Sequence, residues 1–283
     1  MNFKLNMKKS PYDSRDYIYE DRIKFDNTTN LLCDYRKDLQ PIRNQGEQGT
    51  CYAQSASCVK EWQERKDYEF NGYFSPQFFY NNREYFNDGI NDTKDNLEDD
   101  GMTGRDVMRI LKNIGICEEK DYPYGTIQRI TDIDEKIKEK AFLNRIDAYA
   151  RVNTLEGLKK SLLDNGPCLI AMPVYNYGSQ IWIKRESDDF LGGHAMAVVG
   201  YNKNSFIIRN SWGDNWADNG YSYYYFKDWG IHYEIWTTID FKSRKSEEVT
   251  NSDTTTNNYI ENNSIEEDSD KESKIKCPNC IIF

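Results

Sequence analysis

From Cys51 to about Asp67 apolar and small residues recur at helical spacing, through Tyr52, Ser55, Val59 and Trp62, which predicts a helix beginning near Cys51. Ser75-Pro76-Gln77 reads as a helix start with proline in the first turn, feeding Phe78, Phe79 and Tyr80. Val107, Ile110 and Leu111 repeat the pattern over 105–113, Gly115 stops it, and 155–163 forms one more helix. After that the texture becomes strand-like. The runs 168–173, 195–201, 205–209 and 220–226 are short, rich in Val, Ile and Tyr, and punctuated by Gly and Asn. Helices first and strands later predict an α+β protein of two lobes with a cleft between them.

Composition changes sharply after Phe241. Residues 242–276 are dominated by Asn, Ser, Thr, Glu, Asp and Lys, and bury too little apolar surface to offset their ordering entropy. They read as a disordered tail, so 242–283 is set apart from a folded body at 31–241, helical over about 31–150 and β-rich over about 151–241. Residues 1–30 form a polar N-terminal extension whose aromatics, Tyr12, Tyr17 and Tyr19 among them, need somewhere to pack. Two placements stay open: partly over the cleft, or clamped to the far side of a lobe.

The 283-residue chain has a net charge of −10 and no basic stretch interleaved with aromatics, which argues against nucleic acid as a partner. Residues 1–9 lack the apolar run of a secretory signal, and no stretch approaches the roughly 18 apolar residues of a membrane span. Seven cysteines then read as free thiols or as chemistry rather than a disulfide framework, in an intracellular, cytoplasmic protein that is a monomer.

Only two histidines are present, His194 and His232, so any histidine-based mechanism must use one of them. Two histidines and scattered cysteines give no zinc set in the body, and Cys277-x-x-Cys280 is half a site at best; no metal and no cofactor are expected. In Gln45-Gly-Glu-Gln-Gly-Thr-Cys51, glycines turn the chain tightly before a helix that starts on the cysteine. A thiol at a helix N-terminus has its pKa lowered and becomes a nucleophile. Gln45 can swing an amide round the loop to pair with the Cys51 N–H as an oxyanion site. The plainer reading is a glycine loop ahead of a small buried hydrophobe.

A second cluster bears on the choice. Gly192-Gly193-His194 opens one strand, and Asn210-Ser-Trp212-Gly213 follows the next, with a short turn at 202–204 between them. Pairing those strands brings His194 beside Asn210, whose amide oxygen can fix the imidazole tautomer while Trp212 keeps water away. The separation of Cys51 from His194 falls in the window of roughly 130–150 residues characteristic of papain-type enzymes.

Together these blocks resemble the papain-like cysteine peptidases. Asp34-Tyr-Arg36, Pro41 through Gly46, Ser75-Pro-Gln77, Gly115-Ile-Cys-Glu-Glu119, Tyr122-Pro-Tyr124 and Gly166-Pro167 also fall in that family's order, covering about 33–226. The resemblance implies the papain-like two-lobed fold, with Cys51 as nucleophile, His194 as base and acid, Asn210 as orienter, Gln45 as oxyanion donor and Trp212 as shield. It places Gly101, Met102 and Gly193 along the substrate cleft. Protein or peptide substrates follow, and hydrolysis by a cysteine endopeptidase. A pseudoenzyme or binding module on the same fold, and an isopeptidase or transferase with the same triad, are the alternatives. The chain departs from the family where a disulfide is usual: Gln48 stands three residues before the nucleophile, and Asp99-Asp100-Gly101-Met102 stands at the partner's place. His232 and the remaining body cysteines read as structural. Finally, Cys280-Ile-Ile-Phe283 matches a prenylation signal, with Cys277 as a palmitate acceptor, which would give peripheral membrane association through the tail.

Overall fold

The computed structural model describes residues 3–24, 32–83 and 99–240. The readings of the tail, Cys277 and Cys280 included, lie outside the described residues.

Five α-helices are described: α1 (Cys51–Tyr68), α2 (Pro76–Asn81), α3 (Gly104–Asn113), α4 (Glu135–Phe142) and α5 (Leu155–Asn165). Four begin at side-chain caps: the hydroxyls of Ser75, Thr103 and Thr154 accept the N–H of Phe78, Asp106 and Gly157 at 3.0, 3.2 and 3.0 Å, and the Asp134 carboxylate accepts that of Lys136 at 2.8 Å. Helix α1 is buried on every side over its first 14 residues, Cys51 to Glu64. Its charged residues are therefore paired. Lys60 meets Glu64 (2.9 Å) and Asp240, and Glu61 meets Arg43 at 2.7 Å.

Seven strands build one antiparallel sheet: β1 (Cys33–Asp34), β2 (Ala148–Arg151), β3 (Cys168–Val174), β4 (Gly192–Tyr201), β5 (Ser205–Arg209), β6 (Tyr221–Tyr225) and β7 (Glu234–Ile239). They lie in the order β2-β7-β3-β4-β5-β6, with β1 added on β4. β3 is buried at every position, which is why its sequence is a continuous apolar run rather than an alternation. The pattern of apolar positions missed β1, β2, β7 and α4. β7, Glu-Ile-Trp-Thr-Thr-Ile, is buried along both faces and shows no period of two, and α4 buries only Ala141.

Through Asp240 the chain forms one compact unit holding two large apolar cores. In one, α1 and α3 pack Ala53, Val59, Val107 and Leu111 with Ala171, Ala195 and Trp236 of the sheet. In the other, Leu158 and Leu162 of α5 meet Ile170, Met196, Val198, Phe206 and Ile208. β4 contributes to both, and α1 lies against it.

The N-terminal extension divides its contacts. Residues 16–20 clamp onto β2 and α5: Arg151 donates its backbone N–H to the Tyr17 carbonyl (2.8 Å). Asp16 bridges Arg105 and Arg151 at 2.7 Å each. The buried Tyr19 donates its hydroxyl to Asp164 (2.8 Å). Residues 3–8 instead run past Gly193 and Thr103, with Asn6 and Lys8 in parallel bridges to them.

Candidate active site

The first residue of α1 is Cys51, and β4 carries His194 opposite Met172. Ser55, one turn along α1, donates its hydroxyl to the carbonyls of Cys51 (2.9 Å) and Ala195 (3.3 Å), fastening the start of the helix to the strand beside His194. The backbone of Ala195 also hydrogen-bonds the Cys51 thiol. β4 and β5 pair with Ala197 opposite Arg209, so Asn210, one residue past β5, emerges next to His194.

His194 Nε2 stands 2.7 Å from Asn210 Oδ1, and that oxygen also accepts the Ser211 N–H at 2.8 Å. An amide oxygen only accepts, so Nε2 carries the proton and Nδ1 is the basic nitrogen. Nδ1 is buried and, among the described residues, has no hydrogen-bond partner. The Trp212 ring lies over the imidazole at a centroid distance of 4.6 Å and an angle of 31°. The sequence-predicted residues Cys51, His194, Asn210 and Trp212 are thus brought together by the α1–β4–β5 packing.

Three of the bonds that hold Gln45 run to Ser211 and Gln48. Its backbone N–H donates to the Ser211 carbonyl (2.8 Å), its Oε1 accepts from the Ser211 hydroxyl (2.7 Å), and its Nε2 donates to the Gln48 carbonyl (3.0 Å). Among the described residues, one amide hydrogen remains uncommitted. Sequence reasoning missed Ser211 as a partner, although it stands inside the Asn210-Ser-Trp212 block. It also missed Asp99. Both Asp99 carboxylate oxygens accept the Gly49 N–H at 2.9 Å, and Tyr80 and Lys4 hold the same carboxylate. A carboxylate grip therefore joins the two loops in which the resemblance expects a disulfide.

Residues 3–8 cover this site. Gly193 donates its N–H to the Leu5 carbonyl (3.2 Å), and Lys8 donates to the Met102 carbonyl (2.9 Å). A Cβ at Gly101 would strike the carbonyl of Asn6, and one at Gly193 would strike Met7. The three residues expected along the cleft, Gly101, Met102 and Gly193, thus all touch the segment. Phe3 stacks on Trp212 at 4.5 Å with rings 2° from parallel.

Burial has an electrostatic consequence. Burial pushes the Cys51 thiol up to about 11 and the His194 imidazole down to about 4, the Asn210 hydrogen bond opposing the latter. The expectation of a lowered thiol pKa is corrected accordingly: helix N–H groups favour the thiolate, but loss of water outweighs them here. The covered site holds a neutral thiol beside a neutral imidazole.

Other candidates are placed elsewhere. His232 accepts or donates at Nδ1 to the Tyr224 hydroxyl (2.9 Å), and sits against Trp229, away from the site. Cys58, Cys117 and Cys168 are buried free thiols and Cys33 is half-buried. Among the described residues no group of three His, Cys, Asp or Glu could hold a metal ion.

The sequence profile of the papain family cysteine proteases matches residues 30–239. A peptidase C1-like protein of Acanthamoeba polyphaga mimivirus is 26% identical over 216 residues, 68% of each chain. Cysteine proteinase 3 of Entamoeba histolytica is 28% identical over 200 residues, 66% of this chain and 60% of that protein. Among solved structures, xylellain, a cysteine protease from Xylella fastidiosa, superposes with a TM-score of 0.70, covering 85% of this chain and 98% of that one at 23% identity, a likeness of fold.

Proposed function

Because the chain belongs to the papain family of cysteine proteases, we propose that it is an endopeptidase whose reaction is carried by Cys51, His194, Asn210 and Gln45. The observation that supports this most is the 2.7 Å bond between His194 Nε2 and Asn210 Oδ1, which leaves Nδ1 as the basic nitrogen, on a strand fastened through Ser55 to the helix that begins at Cys51. Cys51 Sγ attacks the peptide carbonyl carbon as its proton passes to Nδ1. The oxyanion is held by the Cys51 N–H and the uncommitted amide hydrogen of Gln45. Collapse breaks the C–N bond, and Nδ1–H protonates the departing amine. Water then attacks the thioester with Nδ1 as base, the carboxylic acid leaves, and the thiol is restored.

In this reading residues 3–8 keep the enzyme latent. The departing amine must lie at the His194 ring, so the C-terminal half of a substrate lies toward Trp212 and the N-terminal half toward Met102. The covering segment has its N-terminal end, Phe3, at Trp212 and Lys8 at Met102. It runs opposite to a substrate, and so occupies the site without presenting a peptide bond in the reactive direction. The test of the reaction is Cys51→Ala. Hydrolysis of a mixed peptide library should vanish while the unfolding midpoint stays within a few degrees of the parent's, one small side chain being changed. Retention of most activity would overturn the assignment.

A further inference from the structure

The two groups assigned to the oxyanion stand at opposite ends of one loop: Gln45 opens it and Cys51 closes it, with Gly46 and Gly49 between. Gly46 has a φ of +60°, so the loop is built on conformations with little intrinsic stiffness. Acyl transfer needs the two donors at a fixed separation, because an oxyanion donor displaced by a fraction of an ångström loses most of its effect. Something must therefore hold the loop ends together.

One side chain from outside the loop reaches both. Tyr124 donates its hydroxyl proton to the Gln45 carbonyl (2.8 Å). The same oxygen lies 2.8 Å from the hydroxyl of Thr50, the residue immediately before Cys51; with the tyrosine proton committed to Gln45, Thr50 is the donor. The side chain of Gln54, one turn into α1, bonds the tyrosine hydroxyl as well. Thr50 is fully buried, Gln45 and Gln54 nearly so, and Thr50 also accepts the Gln54 N–H at 2.8 Å as a first bond of α1. A single phenolic oxygen thus ties the start of the loop, the end of the loop and the first turn of the helix.

We propose that Tyr124 is a positioning residue for the reaction: its hydroxyl sets the spacing between the Gln45 carboxamide and the Cys51 N–H, without touching substrate. This rests on the endopeptidase reading above. It separates two kinds of chemistry at the same sulfur. Peptide hydrolysis and capture of a peptide aldehyde both create an oxyanion, whereas alkylation by iodoacetamide displaces iodide at carbon and creates none.

The test compares the full chain with its Tyr124→Phe variant, in which the ring stays and only the hydroxyl is lost. Any opening of the N-terminal segment is common to both proteins. The kcat for a fluorogenic peptide should fall about tenfold with KM held within about twofold, a smaller loss than the hundred- to thousandfold of a missing oxyanion donor. The inhibition constant of a peptide aldehyde should rise by a similar factor, while the rate of Cys51 alkylation by iodoacetamide stays within about twofold. Thr50→Val, which removes the second partner, should show the same split. Unchanged kcat and aldehyde inhibition in Tyr124→Phe would overturn the proposal, and so would alkylation that slows in proportion to turnover, since that signals general loosening. A parent protein whose Cys51 is alkylated but which neither cleaves peptide nor binds aldehyde would overturn the endopeptidase reading together with this one.

Discussion

At the scale of single residues, the site works by restricting each group to one hydrogen-bonding role. Asn210 Oδ1 accepts from both His194 and Ser211, which leaves the imidazole a single tautomer. Ser211 in turn fixes the face of the Gln45 carboxamide. Asn210→Ala removes the tautomer lock but leaves the thiol and the cleft in place. The expected outcome is a fall in kcat of roughly one to two orders of magnitude with little change in KM, measured by steady-state kinetics, because orientation counts chiefly in the transition state. Equal changes in kcat and KM would instead indicate a damaged cleft. Much of this was legible in the residues themselves, since Cys51, His194 and Asn210 each stand in a short block whose chemistry can be read locally. Asp99 was not legible. A carboxylate that accepts a distant backbone N–H leaves no local pattern in the chain.

At the scale of elements, α1 and the N-terminal extension carry the most information. Helix α1 has Lys60, Glu61, Gln63 and Glu64 buried within its first 14 residues, contrary to any amphipathic reading. Their partners, Arg43, Thr238 and Asp240, come from other parts of the chain and replace the water the helix loses. The extension is two devices in one strand of chain. Residues 16–20 are built into the sheet and α5, whereas residues 3–8 are held by backbone bonds, by the packing of Phe3 on Trp212 and of the buried Met7, and by the surface ion pairs Lys4–Asp99 (3.0 Å) and Lys8–Asp100 (2.9 Å). Exposed pairs of this kind contribute little each. Deleting residues 1–8, with the Tyr19 clamp retained, should raise kcat/KM for small peptides several-fold and speed iodoacetamide labelling of Cys51 alike, with a modest fall in unfolding temperature from the lost packing of Met7 and Phe3. Lower activity on a stable fold would mean that the segment shapes the cleft instead of closing it.

At the scale of the whole molecule, both histidines are neutral, His194 fully buried and His232 half-buried. Burial pushes His194 and His232 down to about 4, against 6.5 in an exposed chain. The unfolded chain therefore binds these two protons at a higher pH than the folded one does. The stability they sustain is complete above about pH 6.5 and is lost as pH falls toward about 4, by roughly 3 kcal/mol for each fully realised shift. Thermal unfolding followed by circular dichroism should accordingly show a midpoint that declines across this window. His232→Phe should flatten part of the decline, and an unaltered slope would show that His232 is hydrated in solution.

The sequence by itself determined the elements whose signals are local: the helix that starts at Cys51, the serine-proline start of α2, the strands from 168 to 209, and the order of the three blocks that carry the chemistry. These follow from periodicity, caps and turn residues, which act over a few positions and survive in a linear reading. The tertiary structure alone decided which distant groups meet. It paired Glu61 with Arg43, set Asp99 against Gly49, placed the Tyr124 hydroxyl between Gln45 and Thr50, and laid Phe3 to Lys8 over the cleft. It also reversed the expected pKa of the nucleophile. The local helix end favours a thiolate, but burial of Cys51 in the folded chain removes the water that would solvate it. Desolvation is a property of everything packed around a group, and so it appears only when the chain is folded.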